Sequence, residues 1–230
     1  MTRFEFIRPH SASGLLTLAE VARISDSLRR GSLAVLPTET GYMLAAVATS
    51  TSAVERAFAV KSRDQAHVMH VACAGVEMAA SIGELTPLAL RLLGAFTPGP
   101  VSVIVPKTPM LADRLVTIDG TVGIRVPDHP ATLQVIREVA APLTATSLNV
   151  SGSPSAPVRK LDRQTLNWPA DETIYIVDDD ESIRYSSGST LVRLTGRQIE
   201  ILRAGPVGES DLLEAASVVS YLESAGPPHD

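Results

Sequence analysis

The sequence is poor in cysteine, in aromatic residues and in long apolar runs, and each shortage excludes a class of protein. Cys73 is the single cysteine among 230 residues, so an internal disulfide cannot form, which fits a reducing, cytoplasmic compartment. Aromatic residues make up only 4% of the chain against 45% for all hydrophobic residues, so Ala, Val, Leu and Ile must fill the core, as in layered α/β domains. Charged residues or prolines interrupt each apolar run below membrane-spanning length, and residues 1–6 do not resemble a secretory signal.

The common sequence signatures of catalysis and nucleotide binding are also missing. The chain has no G-x-x-x-x-G-K-[ST] loop, no G-x-G-x-x-G after a strand, no G-x-S-x-G elbow, and no C-x-x-C or H-E-x-x-H. A formal charge of -5 argues against a protein whose whole surface binds nucleic acid. A local basic groove is compatible with this net charge. If the protein is an enzyme, it works by positioning and charge stabilisation, as in phosphoryl and nucleotidyl transfer.

The chain alternates between helical and strand periodicity, and no internal repeat or composition break marks a boundary, which predicts one α/β domain over residues 1–230. Thr17 and Glu20 form a capping box, and Ser52 with Glu55 repeats the pattern. The predicted helices are 18–30, 52–61, 86–96, 129–139 and 210–222, before a frayed tail at 225–230. The predicted strands are 33–38, 42–46, 67–73, 101–105, 121–127, a strand starting at 142, 173–177, 189–194 and 199–205.

Residues 33–46 form the most unusual stretch, because Thr38, Glu39 and Thr40 separate two segments that both read as buried. Buried hydroxyl and carboxylate groups cost free energy unless something bonds to them. Two interpretations stay open: a ligand bonds to this polar elbow, or the turn is capped by its own side chains.

Several further polar residues and segments allow both a structural and a functional interpretation. Arg125 lies in an apolar strand, where it either pairs with a carboxylate of the protein or awaits an anionic ligand. Lys61 closes a predicted helix, which the helix dipole alone could explain. Residues 142–155 are rich in hydroxyl and amide groups, which is typical of a phosphate-binding loop or of a flexible linker. The four acidic residues at 178–181 are more typical of a solvated loop than of a metal site. The two histidines of 67–73 do not have the spacing of metal ligands.

Seven blocks follow one another along the chain: Pro37-Thr38-Glu39-Thr40, Lys61-x-Arg63, Pro98-Gly99-Pro100, residues 122–127, Ala145-Thr146-Ser147-x-Asn149 with Ser151-Gly152, Ser189-Thr190, and Ile201-Leu202-Arg203-x-Gly205. Their order and approximate spacing resemble those of the YrdC-like family, which contains the threonylcarbamoyl-AMP synthases. The resemblance implies a single domain with a core at about 14–207, without the extra C-terminal domain of longer family members.

The resemblance implies an open, twisted mixed sheet flanked by helices, with a concave positive cleft. It also implies an enzyme that makes threonylcarbamoyl-AMP and pyrophosphate from ATP, bicarbonate and L-threonine, for the N6-threonylcarbamoyladenosine modification of tRNA. Mg²⁺ would be held mainly by the phosphates, so no protein metal site is expected. The partners implied are tRNA or double-stranded RNA and tRNA-modification proteins, for a monomer or a homodimer.

Site roles carried over from the resemblance divide into three groups. Lys61 and Arg63 would be the catalytic charge clamp on the reacting phosphate. The threonine or its carbamoyl part would be held by Thr40, Arg125, Ala145 and Ser189. The nucleotide would be held by Arg63, His67, Thr121, Ser147, Asn149, Ser155 and Arg203. We therefore predict that Arg63, Arg125 and Arg203 converge on one hollow without acidic partners from the protein.

The chain departs from the family pattern at Met43, Asp64, Ala72 and Val150. The sequence around Met43 is similar to that of the YciO-like sister group. Met43 and Ala72 both lie in the part of the site that, by the resemblance, would recognise threonine. An alternative function is therefore a YciO-like nucleotide or double-stranded RNA binding protein without the synthase activity.

Overall fold

The computed structural model describes residues 2–61, 69–115, 117, 119–148, 166–195 and 198–224, with side chains up to residue 217. The strands are β1 (Arg3–Ile7), β2 (Ala34–Thr38), β3 (Gly41–Ala45), β4 (His70–Ala72), β5 (Val101–Pro106), β6 (Thr121–Arg125), β7 (Leu143–Ser147), β8 (Thr173–Val177), β9 (Thr190–Thr195) and β10 (Gln198–Arg203). The α-helices are α1 (Leu18–Arg29), α2 (Thr51–Lys61), α3 (Val76–Ile82), α4 (Pro87–Phe96), α5 (Pro130–Val139) and α6 (Glu209–Ser224). Short 3₁₀ turns lie at Asp113–Leu115 and Asp180–Ser182.

All ten strands of the described segments belong to one sheet, in the order β1-β8-β2-β3-β7-β4-β6-β5-β9-β10. The sheet is mixed: β1 and β2 are parallel to β8, whereas β3 is antiparallel to both β2 and β7. In the other half, β4 and β6 are parallel, β5 is antiparallel to β6, and β9 is parallel to β5. The predicted open mixed sheet flanked by helices is confirmed.

Two hydrophobic clusters lie on opposite faces of this sheet, because successive strand residues point to opposite sides. One cluster joins alternate residues such as Val35, Leu44 and Ile124 to the apolar sides of α2, α3 and α4. The other joins the intervening residues, such as Leu36, Met43 and Ala72, to α1 and α5. Both faces are thus built from aliphatic side chains, as the scarcity of aromatic residues predicts.

Among the described residues, the hydrophobic cluster under α1 and α5 extends over only half of the width of this face. Its buried cluster contains residues of β1, β2, β3, β4, β7 and β8, and no residue of β5, β6, β9 or β10. The neighbouring residues of β5, β6 and β9 point into the opposite cluster. Because strand residues alternate between the two faces, these strands present six other residues on the face of α1 and α5: Thr121, Gly123, Arg125, Ser102, Ile104 and Arg193. We call this part of the sheet the open half.

Of the two predicted capping boxes, the structure confirms one. Thr17 and Glu20 form the predicted capping box at the start of α1. The predicted cap at Ser52 is wrong, because α2 already begins at Thr51, where the Ser50 side chain accepts a bond from the Ala53 N–H at 3.4 Å.

Two elements were not predicted, and one strand is shorter than predicted. β1 and α3 are absent from the sequence prediction, and β4 covers only His70–Ala72 within the predicted strand 67–73. Among the described helices, none combines the length and the apolar character that crossing a bilayer requires.

Candidate functional site

The polar elbow between β2 and β3 is a tight turn whose polar groups are bonded within the chain. The Thr38 hydroxyl donates to the Gly41 carbonyl at 2.7 Å and accepts from the Thr40 N–H at 3.2 Å. Glu39 is fully buried, and its carbonyl oxygen accepts bonds from the N–H groups of Arg184 and Tyr185, each at 3.0 Å. The turn is therefore capped by its own chain, and only Thr40 of the three residues is half-exposed.

Arg125, at the end of β6, forms an ion pair with the carboxylate of this elbow. Its Nη2 lies 2.5 Å from Glu39 Oε1, and the second carboxylate oxygen of Glu39 accepts from the Asp128 N–H at 2.9 Å. Arg125 Nη1 also donates to the Thr40 hydroxyl at 3.2 Å. Of the two alternatives for Arg125, the structure shows the internal ion pair, so the prediction that Arg125 has no acidic partner is wrong.

One donor of Arg125 nevertheless stays unused. Its Nε is buried and has no hydrogen-bond partner within the described residues, and the residue as a whole is only 8% exposed. A buried donor without an acceptor costs free energy, of about 1–3 kcal/mol. Glu39 therefore neutralises the charge of Arg125 without satisfying its full hydrogen-bonding capacity.

Arg203 lies beside this pair, at the end of β10. Its Nε donates to the Ser189 carbonyl at 3.0 Å, and its Nη2 donates to the Ser189 hydroxyl at 3.1 Å. That hydroxyl lies 2.8 Å from the buried hydroxyl of Ser102, which is the strand partner of Arg125. The structure thus links Thr40, Arg125, Ser189 and Arg203, which are four of the predicted site residues.

The segment that carries Ser189 is held by close backbone packing. A Cβ at Gly205 would lie 2.3 Å from the Thr190 backbone nitrogen, so a residue with a side chain cannot pack there without displacing the chain. The Thr190 N–H donates to the Pro100 carbonyl, and the Gly99 N–H donates to the Val126 carbonyl. The Pro98-Gly99-Pro100 block therefore ties the end of β6 to the start of β9.

The charges of this cluster are not balanced. Arg125 and Arg203 contribute two guanidinium groups, while Glu39 is the one carboxylate that pairs with them among the described residues. The pKa of Arg203 lies below its ordinary value, first because burial disfavours the charged form and second because of the charge of Arg125. An anion placed beside both guanidinium groups would relieve this repulsion.

Lys61 and Ser147 meet at a second point of the same sheet. Lys61 is the last residue of α2, and its Nζ donates to the Ser147 carbonyl at 2.8 Å. Ser147 ends β7 and is exposed. Ala145, two residues earlier, pairs with His70 across the β7–β4 ladder.

Thr121 begins β6 on the open half, four residues before Arg125. Its hydroxyl donates to Asp119 Oδ1 at 2.7 Å and lies 2.7 Å from the Thr117 hydroxyl. The pKa of Asp119 is lowered by these hydrogen bonds from Thr117 and Thr121. Thr121 is therefore held within a local turn and is not in contact with Arg125.

Four further predicted site residues, Arg63, His67, Asn149 and Ser155, lie outside the described residues. Their roles stay predictions.

The sequence analysis missed one residue of the site, Ser102, and did not identify the partner of another, Glu39. Ser102 is the one polar residue within the apolar run 101–105, the same kind of anomaly that singled out Arg125. Glu39 was noticed, but its partner could not be identified, because 86 positions separate it from Arg125.

The acidic run after β8 bonds to the protein itself. Asp178 pairs with Arg8, Asp179 lies 3.1 Å from His129 Nε2, and Asp180 accepts from the Tyr42 hydroxyl at 2.9 Å. Burial, followed by the bond to Asp180, raises the pKa of Tyr42. Within the described part of the chain, no three His, Cys, Asp or Glu side chains are grouped as a metal site.

Cys73 directly follows β4 and is fully buried. Burial raises the pKa of its thiol to about 12. Because the thiolate is the nucleophilic form, this residue does not act as a nucleophile near neutral pH.

His129 is a buried neutral imidazole that links the acidic run after β8 to the start of α5. Its Nδ1 accepts from the Thr132 N–H and so caps the helix, which leaves the proton on Nε2 for Asp179. Burial lowers its pKa, and this effect outweighs the opposite effect of Asp179, Glu39 and Asp128.

The lowered pKa of His129 predicts a loss of stability in acid. Because the unfolded chain binds the proton more readily, the contribution of His129 is complete above its unfolded pKa of about 6.5 and falls as pH decreases below that value. We expect the free energy of unfolding of the wild type to fall by up to about 1.4 kcal/mol per pH unit relative to His129→Asn, which keeps a helix-capping side chain. Urea unfolding at pH 7.5, 6.5 and 5.5 measures this difference; parallel curves for both proteins would contradict it.

The fold and the site together define an α/β protein whose open mixed sheet brings Arg125, Arg203, Thr40 and Ser189 into one polar cluster. The family model for Sua5, YciO and YrdC proteins, described as "Telomere recombination", matches residues 26–205. The chain therefore belongs to the Sua5/YciO/YrdC family.

Several relatives carry the name of one enzyme. A putative threonylcarbamoyl-AMP synthase of Mycobacterium tuberculosis is 32% identical over 193 residues, which are 84% of this chain and 87% of that protein. The threonylcarbamoyl-AMP synthase of Bacillus subtilis is 36% identical over 138 residues, which are 59% of this chain and 40% of that protein.

Two solved structures share the fold. P. abyssi Sua5 in complex with L-threonine matches with a TM-score of 0.78 at 25% identity, over 92% of this chain and 60% of that one. E. coli YciO matches with a TM-score of 0.77 at 22% identity, over 92% of this chain and 100% of that one, and supports the fold alone.

Proposed function

We propose that the protein is an L-threonylcarbamoyladenylate synthase. Threonine and bicarbonate would condense to a carbamate with loss of water. A carbamate oxygen would then attack the α-phosphorus of ATP, so that the new O–P bond forms while the bond to pyrophosphate breaks. The product, threonylcarbamoyl-AMP, would serve N6-threonylcarbamoyladenosine formation in tRNA. The names of the relatives and the threonine complex of Sua5 support this proposal.

The observation that carries the proposal is the unbalanced pair of guanidinium groups of Arg125 and Arg203 over a single carboxylate. The carboxylate of an amino acid supplies the missing negative charge. It can also accept the unused Nε–H of Arg125, since charge-assisted bonds are about twice as strong as neutral ones. The hydroxyl groups of Thr40 and Ser189, which already contact these arginines, would add bonds to the threonine or its carbamoyl part.

The nucleotide would extend from this cluster towards the end of β7. Lys61 already reaches the Ser147 carbonyl, so its ammonium group lies at that end of the sheet. We assign Lys61 and Arg63 to the negative charge that develops on the transferred phosphate, a form of stabilisation typical of such reactions. Arg203, Thr121, Ser147, Asn149, His67 and Ser155 would complete the nucleotide site, as the family resemblance implies.

Magnesium would enter as part of the MgATP substrate. Mg²⁺ keeps several waters and is bound chiefly by substrate phosphates in sites of this kind. A basic site for tRNA or double-stranded RNA, and contacts with tRNA-modification proteins, belong to the same proposal. A cytoplasmic location and a monomeric or homodimeric state complete it.

The test is pyrophosphate release by the purified protein with MgATP, bicarbonate and each amino acid in turn. We expect release with L-threonine above all others, and formation of threonylcarbamoyl-AMP detected by mass spectrometry. Omission of bicarbonate is the matched control, because it removes the carbamate without changing ATP or threonine.

Release that does not depend on bicarbonate would contradict the proposed reaction. Binding of ATP without release for any amino acid would instead favour the nucleotide-binding or RNA-binding alternative.

A further inference from the structure

His70 is an imidazole on the open half that no step above uses. It begins β4, where it pairs with Ala145 of β7, while Ala72 in the same strand pairs with Arg125 of β6. Since side chains two residues apart share a face, His70 and Arg125 lie on the same side of the sheet. Ala72 belongs to the cluster under α1 and α5, which fixes that side as the partly covered face.

The His70 ring occupies the space that Gly123 leaves empty. A Cβ at Gly123 would lie 2.7 Å from the Cδ2 atom of His70 and 3.1 Å from both its Cγ and its Nε2. Real Cβ atoms do not approach other atoms to 2.7 Å, so any larger residue at Gly123 would displace the ring. The ring is therefore seated on the floor of the open half, and His70 is half-exposed.

The strand register places this ring between the two parts of the proposed site. One row across the sheet contains Leu143, Ala72 and Arg125, and the next contains Ala145 and His70. Ser147, whose carbonyl binds Lys61, lies two residues further along β7, away from the Arg125 row. Rows of like-facing residues are about 6.6 Å apart, at about 3.3 Å per residue. The ring thus lies about one row from the arginine cluster and about one row from Ser147.

We propose that His70 contacts the substrate at the junction between the acyl group and the α-phosphate. This inference rests on the proposed function, which puts the amino acid at Arg125 and the nucleotide towards Ser147. The α-phosphate oxygens at this junction carry negative charge and the carbamoyl oxygen is also an acceptor, so an imidazole N–H is a matching partner. His70 would therefore act on the reacting part of the substrate, while the arginine cluster holds the amino-acid end.

The direct test observes the imidazole itself, by NMR of protein labelled with ¹³C-histidine. The chain has 5 histidines, and His70→Asn identifies the signal of His70. We expect this signal to shift on addition of MgATP, L-threonine and bicarbonate, while the signal of the exposed His10 remains in place.

An unchanged His70 signal with all three substrates present would overturn the proposal, whether or not pyrophosphate is released. A shifted signal without pyrophosphate release would leave His70 as a contact residue and refute the synthase reaction instead. The experiment can therefore refute the His70 contact and the synthase reaction independently of each other.

Kinetics of two variants give a second test. We expect kcat/KM of His70→Ala to fall about 10- to 100-fold, the loss typical of one hydrogen bond to a charged group, with His10→Ala as the unaffected control. Gly123→Ala should lower kcat/KM through displacement of the ring, and it should have little further effect in the His70→Ala background. Full additivity of the two substitutions would contradict the role of Gly123 as the seat of the ring.

Discussion

Replacement of Glu39 by alanine is expected to lower the free energy of unfolding by about 3–5 kcal/mol, the range for breaking a buried ion pair from one side. Glu39 is fully buried, so the variant would leave the guanidinium group of Arg125 in the core without its counter-charge. The Asp128 N–H would lose its acceptor as well. Urea unfolding followed by circular dichroism measures the change.

Matched variants separate the ion pair from general effects of truncation. Glu138→Ala removes an exposed carboxylate that pairs with Arg29, and we expect a change of about 0–1 kcal/mol. The double variant Glu39→Ala with Arg125→Ala should be less destabilised than the sum of the two single variants, since neither charge is then left alone. A Glu39→Ala protein as stable as the wild type would show that the pair contributes no net stability.

The position of Glu39 explains how Arg125 can lie in an apolar environment and, under the proposed function, still serve a substrate. A guanidinium group held only by a future ligand would be too costly to keep desolvated in the free protein. One carboxylate lowers that cost for Arg125, and Ser189 supplies neutral acceptors for Arg203. Within the described part of the chain, Arg125 thus has a carboxylate partner and Arg203 has only neutral ones, and under the proposed function the charge of Arg203 remains for an anion.

The sequence predicted those parts of the fold that depend on local chemistry. The capping box at Thr17 and the proline-led starts of α4 and α5 depend on residues close in the chain, and the structure confirms them. β1 was missed because Arg3–Ile7 is short and alternates only weakly, and because its partner β8 is 170 positions away. Such a pairing is decided by the assembled sheet, which no local pattern encodes.

The candidate site shows the same division between local and distant information. Thr40, Arg125 and Arg203 could be selected because polar groups among apolar ones need a reason. That Glu39 would be the partner of Arg125 depends on the assembled fold, which brings the β2–β3 turn to the end of β6 although β7 and β4 lie between β3 and β6 in the sheet. The sequence analysis considered His70 only as a possible metal ligand, because only the register of β4 puts it on the open half.

Replacement of Lys61 by glutamine is expected to lower kcat of the proposed reaction by about 10²- to 10³-fold, the usual effect of removing one group that stabilises transition-state charge. The ammonium group lies at the end of α2, where its Nζ bonds to the Ser147 carbonyl. Glutamine keeps a donor for that carbonyl but has no positive charge for the phosphate. Arg63→Ala, at the second member of the proposed clamp, should abolish turnover in the same assay.

The loss at Lys61 should be catalytic and not structural, because Lys61 is the last residue of a helix and is only half-buried. A cation in the last turn stabilises a helix by about 0.3–1 kcal/mol, so the melting temperature should change by only a few degrees. Lys107→Gln is the matched control, since it removes the same charge from a residue that pairs with the exposed Asp113. If Lys61→Gln unfolds readily, or if Lys107→Gln loses as much turnover, Lys61 is a structural residue and the charge clamp has to be sought elsewhere on the open half.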